Sequence, residues 1–146
     1  MVRQLSELDK CFKKELIRKT LPSREKALKS ISKAKKWLEE AKKNLEFDLV
    51  DSCLVSSYSA MFHAARALLI RDGFREKSHY CLARYVEEKY VNTNTLSSSI
   101  VALLDRFREL RHEDLYELDF LATSEDAEEA IKNAEIVIRE VEKLIR

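Results

Sequence analysis

DLVDSCLVSSYSAMFHAARALLIR, residues Asp48–Arg71, is the most apolar segment of the chain. Leu54, Tyr58, Met61, Phe62, Ala65, Leu68 and Leu69 recur at steps of three and four, so they form one buried helical face. A helix this apolar belongs in the middle of its fold. Asp72-Gly73 then ends it, with glycine in the left-handed position that closes many helices. His63 and Arg66 lie three apart on one side of it. His63 reads first as a hydrogen-bonded packing residue and second as a ligand-binding one.

The segments on either side repeat the helical pattern. Pro22 and Ser23 open a helix in which Ala27, Ile31, Ala34, Leu38, Ala41 and Leu45 alternate steps of four and three. Lysines 26, 29, 33, 35, 36, 42 and 43 cover its other faces and read first as a solvated surface, with a phosphate-binding surface as the alternative. Before it, Leu5, Leu8, Phe12 and Leu16 make a basic amphipathic helix within residues 1–21, at the periphery of the domain and ending before Leu21-Pro22. After the central segment come a loop over 74–77 and a helix over 78–91, with Leu82, Tyr85 and Val86 inward. His79 and Tyr80 stand in its first turn, which reads first as an ordinary helix start and second as a place where free backbone amides favour an anion. Next is a helix from Leu96 to about Tyr116. A last helix, capped by Ser124, carries Ala127, Ala130, Ile131, Ala134, Val137, Ile138, Val141 and Ile145. With one glycine and one proline in 146 residues, and 45% apolar against 36% charged residues, the chain reads as all-α. The expected form is one domain over 1–146, an antiparallel up-and-down bundle of four to five long helices. Tyr58, Phe62, Leu69, Leu104, Phe107 and Val137 are expected to be buried together.

Composition narrows the function. The net charge is +1, split as +6 over residues 1–50, +1 over 51–100 and −6 over 101–146, so no uniform field calls for nucleic acid or a membrane. The longest apolar stretch is broken by His63 and Arg66, and no membrane span or signal peptide is expected. Cys11, Cys53 and Cys81 show no metal spacing and read as reduced cysteines of a cytoplasmic protein. No glycine-rich nucleotide loop, metal constellation or cofactor motif is present in the sequence.

Chemistry concentrates in DRFRELRHEDLYELDF, Asp105–Phe120. Leu96, Ile100, Leu103, Leu104 and Phe107 mark the core face of that helix, and one further turn lands on Arg111, so an arginine occupies a core-facing place. Arg108 and His112 share a face, whereas Arg106 and His112 point about a third of a turn apart. Alternation with Asp105, Glu109, Glu113 and Asp114 is the pattern of a solvated, salt-bridged helix; the position of Arg111 is what argues for a site. Guanidinium binds phosphate through paired hydrogen bonds, and histidine as a residue type exchanges protons near physiological pH.

Three segments in order resemble the small stand-alone HEPN-domain family. SSYSAMFHAARALL (Ser56–Leu69) is similar to its second core helix, KSHYCLARYVEEKYV (Lys77–Val91) to its K-x-H helix, and ELRHEDLYELDF (Glu109–Phe120), followed by DAEEAIKNAE (Asp126–Glu135), to its C-terminal part. The resemblance runs from about Ala34 to the C-terminus. It implies a helical bundle, usually a homodimer through the motif helix. It also implies one of two functions: a metal-independent endoribonuclease, such as a toxin paired with a small nucleotidyltransferase antitoxin, or a noncatalytic module binding RNA, a nucleotide or a protein. The family's catalytic pattern, arginine, four to six residues, histidine, is matched by Arg106 and His112, which are the expected catalytic residues. In a second register, Arg111 aligns with the family arginine and Tyr116 with the place of the histidine. Arg108, Arg111, Tyr116, His63 and His79 are the expected binding residues. No metal and no cofactor are expected.

Overall fold

The computed structural model describes residues 4–146. These residues form six α-helices: α1 (Glu7–Lys13), α2 (Arg24–Glu46), α3 (Val50–Asp72), α4 (His79–Val86, continued by a π-helical turn at Glu87–Val91), α5 (Ser98–Tyr116) and α6 (Ser124–Ile145). The four long ones, α2, α3, α5 and α6, make the up-and-down bundle expected from the sequence. α3 is its axis and packs on α2, α6, α5 and α4. Its buried face holds Leu54, Tyr58, Met61, Phe62, Leu68 and Leu69, joined in one core by Leu104 and Phe107 of α5 and Val137 of α6. By length and composition α3 could also cross a membrane, but 72% of its most apolar window is buried inside the protein, which marks it as a core helix.

Caps follow local chemistry. Ser23 accepts from the backbone N–H of Lys26 at the start of α2, and Gly73 closes α3 with φ 89°. A side chain at Gly73 would meet Pro22 Cγ at 2.7 Å, so glycine is required there twice over. At α6 the cap is Thr123 rather than the expected Ser124. The Thr123 hydroxyl and the Asp126 carboxylate form a reciprocal box that serine one position later cannot complete.

Three other expectations are corrected. The first helix does not run to Leu21-Pro22 but stops at Lys13. Glu15 then turns left-handed (φ 58°), and Ile17–Lys19 becomes strand β1. The expected loop at 74–77 contains its partner, β2 (Phe74–Glu76), antiparallel with Ile17 opposite Glu76. The pairing joins residues too far apart for a local periodicity to show it. The third correction is that Cys11 and Cys81 are not free thiols. Leu8 and Cys11 of α1 enter the core, α1 packs on α4, and the two cysteines form a disulfide at a Cα–Cα distance of 5.8 Å. Cys53 is free and buried.

The disulfide closes a separation of 70 residues, long enough to restrict the unfolded chain appreciably. Reduction is therefore expected to lower stability by about 2–4 kcal/mol, read as a shift of the urea midpoint with and without a dithiol. An unshifted midpoint would refute a structural role for the bond. The other end of α4 is also fastened. Asp72 accepts hydrogen bonds from Tyr85 Oη at 2.8 Å and Tyr90 Oη at 2.6 Å. Burial and the Asp72 carboxylate hold both phenols well above the usual tyrosine range. With both ends held, the first turn of α4 is a fixed platform beside α3 and α5.

Candidate functional site

On that platform Ser78 caps α4 by accepting from the backbone N–H of Cys81 at 3.2 Å, and His79 is the first helical residue. Its ring stacks on Phe62 at 3.8 Å between centroids, and Nδ1 lies 2.8 Å from the Tyr58 hydroxyl. Tyr58 and Phe62 are four apart on α3, so one helical face supplies both contacts. Burial pushes the Tyr58 phenol up to about 12 against the opposing pull of Arg108 and Arg111, which keeps it protonated at neutral pH. Burial, then Arg111, Arg66 and Arg108 in that order, hold His79 below the usual histidine range. The site therefore presents a neutral imidazole at neutral pH, with three guanidinium groups close enough to act on it.

The arginines differ in how they are paired. Arg66 gives its Nε to Glu76 Oε1 at 2.7 Å and covers the Phe62 ring at 4.5 Å. Arg84 bonds Asp105, and Arg108 reaches the same carboxylate at 3.5 Å. Both cover the ring of Tyr80, at 4.8 Å and 5.4 Å. Arg111 is half-buried with its Cζ 5.6 Å from the centroid of Tyr58, and among the described residues it has no carboxylate partner. Four arginines meet three carboxylates, Glu76, Asp105 and Glu87, the last 3.6 Å from Arg84, so the surface between α3, α4 and α5 keeps a positive excess. Such an arrangement accepts an anion that brings acceptor oxygens to Arg111.

The other expected site residues lie elsewhere. Arg106 turns to α6 and holds Glu129 through two bonds of 2.7 Å and 3.2 Å. His112 is exposed, packs its ring at a tilt against Tyr116 with 4.8 Å between centroids, and lines a surface groove with Arg108, Glu109, Glu113 and Glu117. Arg106 is not part of that groove, so within one chain it does not meet His112 there. His63 faces a different groove, with Arg66, against α2. Sequence reading overlooked Arg84, took Asp105 only as part of a solvated charge alternation, and treated Tyr58 as packing and Tyr80 as an ordinary helix start. The usable signals were the Tyr80–Arg84 spacing of four and the Asp105–Arg108 spacing of three. Among the described residues no group of three histidine, cysteine or acidic side chains could hold a metal.

His63 carries a stability consequence. Burial first, then Arg66, Lys33 and His79, bring it from 6.5 down to about 4. As pH falls, the unfolded chain takes up this proton before the folded one, so the contribution is intact above about 6.5 and is lost between there and about 4. His63→Gln is expected to flatten the fall of Tm over that window. An equally steep fall would contradict the assignment.

A protein-family model described as HEPN domain matches residues 27–144. No curated protein matches the chain.

Proposed function

The chain belongs to the HEPN domain family, and from that premise we propose that it binds phosphate groups of RNA or of a nucleotide at the start of α4. The observation that carries this reading is Arg111. A half-buried guanidinium that has no carboxylate partner among the described residues is held over an aromatic ring beside a neutral histidine. A guanidinium left unpaired in such a place is costly to a purely structural helix and useful to a helix that meets an anion. Tyr80, lying under two guanidiniums, adds a ring on which a base can stack.

A second reading, metal-independent RNA cleavage, is favoured by one specific observation: His112 is exposed in the groove that also contains Arg108. There His112 would take the proton of a ribose 2′-hydroxyl, and Arg108 or Arg111 would stabilise the charge on the phosphorane. The products would be a 2′,3′-cyclic phosphate and a 5′-hydroxyl. Arg106 would join only after leaving Glu129, or from a second copy across a two-fold axis on α5. A homodimer, a small nucleotidyltransferase antitoxin as partner and a cytoplasmic location belong to this reading.

One pair of measurements separates the two. For a binding module, His112→Ala is expected to keep RNA affinity within about twofold, because this residue lies outside the Arg111 centre. The test is anisotropy with labelled single-stranded RNA. If the protein instead cuts RNA in the presence of a chelator, and His112→Ala slows cutting by about a hundredfold or more, the cleavage reading replaces it.

A further inference from the structure

A second concentration of positive charge lies on the other side of Arg66. α2, the middle of α3 and β2 enclose a groove of about 320 Å³. Lys26, Lys29 and Lys33 enter from one face of α2, at helical spacing, Arg66 from α3 and Arg75 from β2. Among the described residues Lys26, Lys33 and Arg75 have no ion-pair partner, and Lys29 has only the exposed Glu25 at 3.5 Å. The groove's one carboxylate is Glu76, whose side chain is 1% exposed. It occupies Arg66 Nε, and among the described residues the two terminal amino groups of Arg66 have no hydrogen-bond partner. Its own Oε2 is buried without a hydrogen-bond partner. Five cations therefore converge on one concavity against a single carboxylate, and that carboxylate orients one of them. Mutual repulsion among the cations makes a solvated lysine face an incomplete explanation of this geometry.

The size restricts the ligand. A groove of about 320 Å³ is at the lower end of the range for small-molecule pockets, about 300–1,000 Å³. It suits a chain of phosphates better than a whole nucleotide. One turn further along α2, Lys33 is shared with a smaller concavity that also contains Trp37, the chain's single tryptophan. We propose that the groove between α2, α3 and β2 is a polyphosphate site, with Lys26, Lys29, Lys33, Arg66 and Arg75 as its donors and Trp37 placed to stack a base attached to the chain. The shared chemistry is a triphosphate, carried either by a free nucleoside triphosphate or by the 5′ end of an RNA. This site stands apart from the Arg111 centre and does not depend on it.

Calorimetric titration with inorganic triphosphate tests the site directly. Saturable binding is expected, weakened at least about tenfold in Lys26→Ala/Lys33→Ala and in Arg75→Ala. These residues are exposed, and matching circular dichroism melts will show that the variants fold. ATP and GTP are then compared with one RNA bearing either a 5′-triphosphate or a 5′-hydroxyl, with Trp37 fluorescence as a second readout. Tighter binding of the free nucleotides, with quenching, assigns the site to nucleotides. Preference for the triphosphorylated RNA over its 5′-hydroxyl form assigns it to RNA ends, and equal affinities leave the phosphate chain as the whole determinant. The proposal is overturned if inorganic triphosphate does not saturate, if orthophosphate binds as tightly, or if the lysine and Arg75 variants bind like the parent. If Arg111→Ala loses RNA binding while triphosphate binding persists, the two sites are separate. If triphosphate binding is lost in Arg111→Ala and retained in the groove variants, the groove is excluded.

Discussion

Arg111→Ala is expected to weaken the binding of single-stranded RNA roughly tenfold to a hundredfold while leaving the melting temperature close to that of the parent. The first half follows from the bonds at stake. A hydrogen bond to a charged group contributes about 1.5–3 kcal/mol, and about 1.4 kcal/mol is a factor of ten in affinity. The second half follows from the pairing. Arg111 has no carboxylate partner among the described residues, so removing it orphans no buried charge. It gives up only its position over Tyr58 and relieves the repulsion that it exerts with Arg66 and Arg108 around His79. Arg111→Lys keeps the charge without the planar fork and is expected to recover only part of the loss. The slope of log affinity against log salt is expected to fall by about one in the alanine variant. Unchanged affinity and slope would remove Arg111 from the binding surface and with it the main support for the proposed function.

Arg66→Ala is expected to be the most damaging single change to stability at a polar position, by about 3–5 kcal/mol. It leaves the Glu76 carboxylate, 1% exposed on its side chain, without the guanidinium that holds it. One oxygen of that carboxylate already has no partner. The contrast within the same protein is Arg106→Ala. That bidentate pair with Glu129 is 56% and 44% exposed, and its loss is expected to cost no more than about 1 kcal/mol. Arg66→Met combined with Glu76→Gln removes both charges and is expected to recover most of the loss, because a buried pair can often be replaced by neutral groups of similar volume. Urea midpoints at a constant m-value measure all three. Equal costs for Arg66→Ala and Arg106→Ala would contradict the burial argument.

The core was legible because it is local. A run such as Leu54, Tyr58, Met61, Phe62, Leu68 and Leu69 repeats at the helical period, and the same holds for α2, α5 and α6, so each buried face could be read from spacing alone. Capping chemistry is local too, which is why Ser23 and Gly73 fell where expected. So is the break in pattern at Arg111, where a charge replaces the next core residue and the structure finds a half-buried guanidinium.

What the sequence left open depends on pairs far apart in the chain. The Cys11–Cys81 bond spans 70 residues, β1 meets β2 only because α2 and α3 fold back as a hairpin, and neither has a periodicity of its own. The same limit applies to the site. Spacing along α5 shows that Arg106 and His112 are six positions apart, but the neighbours across the bundle decide which of its arginines are occupied. Glu129 of α6 engages Arg106, Asp105 engages Arg84 and Arg108, and Arg111 is left over Tyr58 beside His79. Helical periodicity places a side chain on a face of its own helix; the packing of α3, α4, α5 and α6 determines what that face meets, and so which charges remain for a ligand.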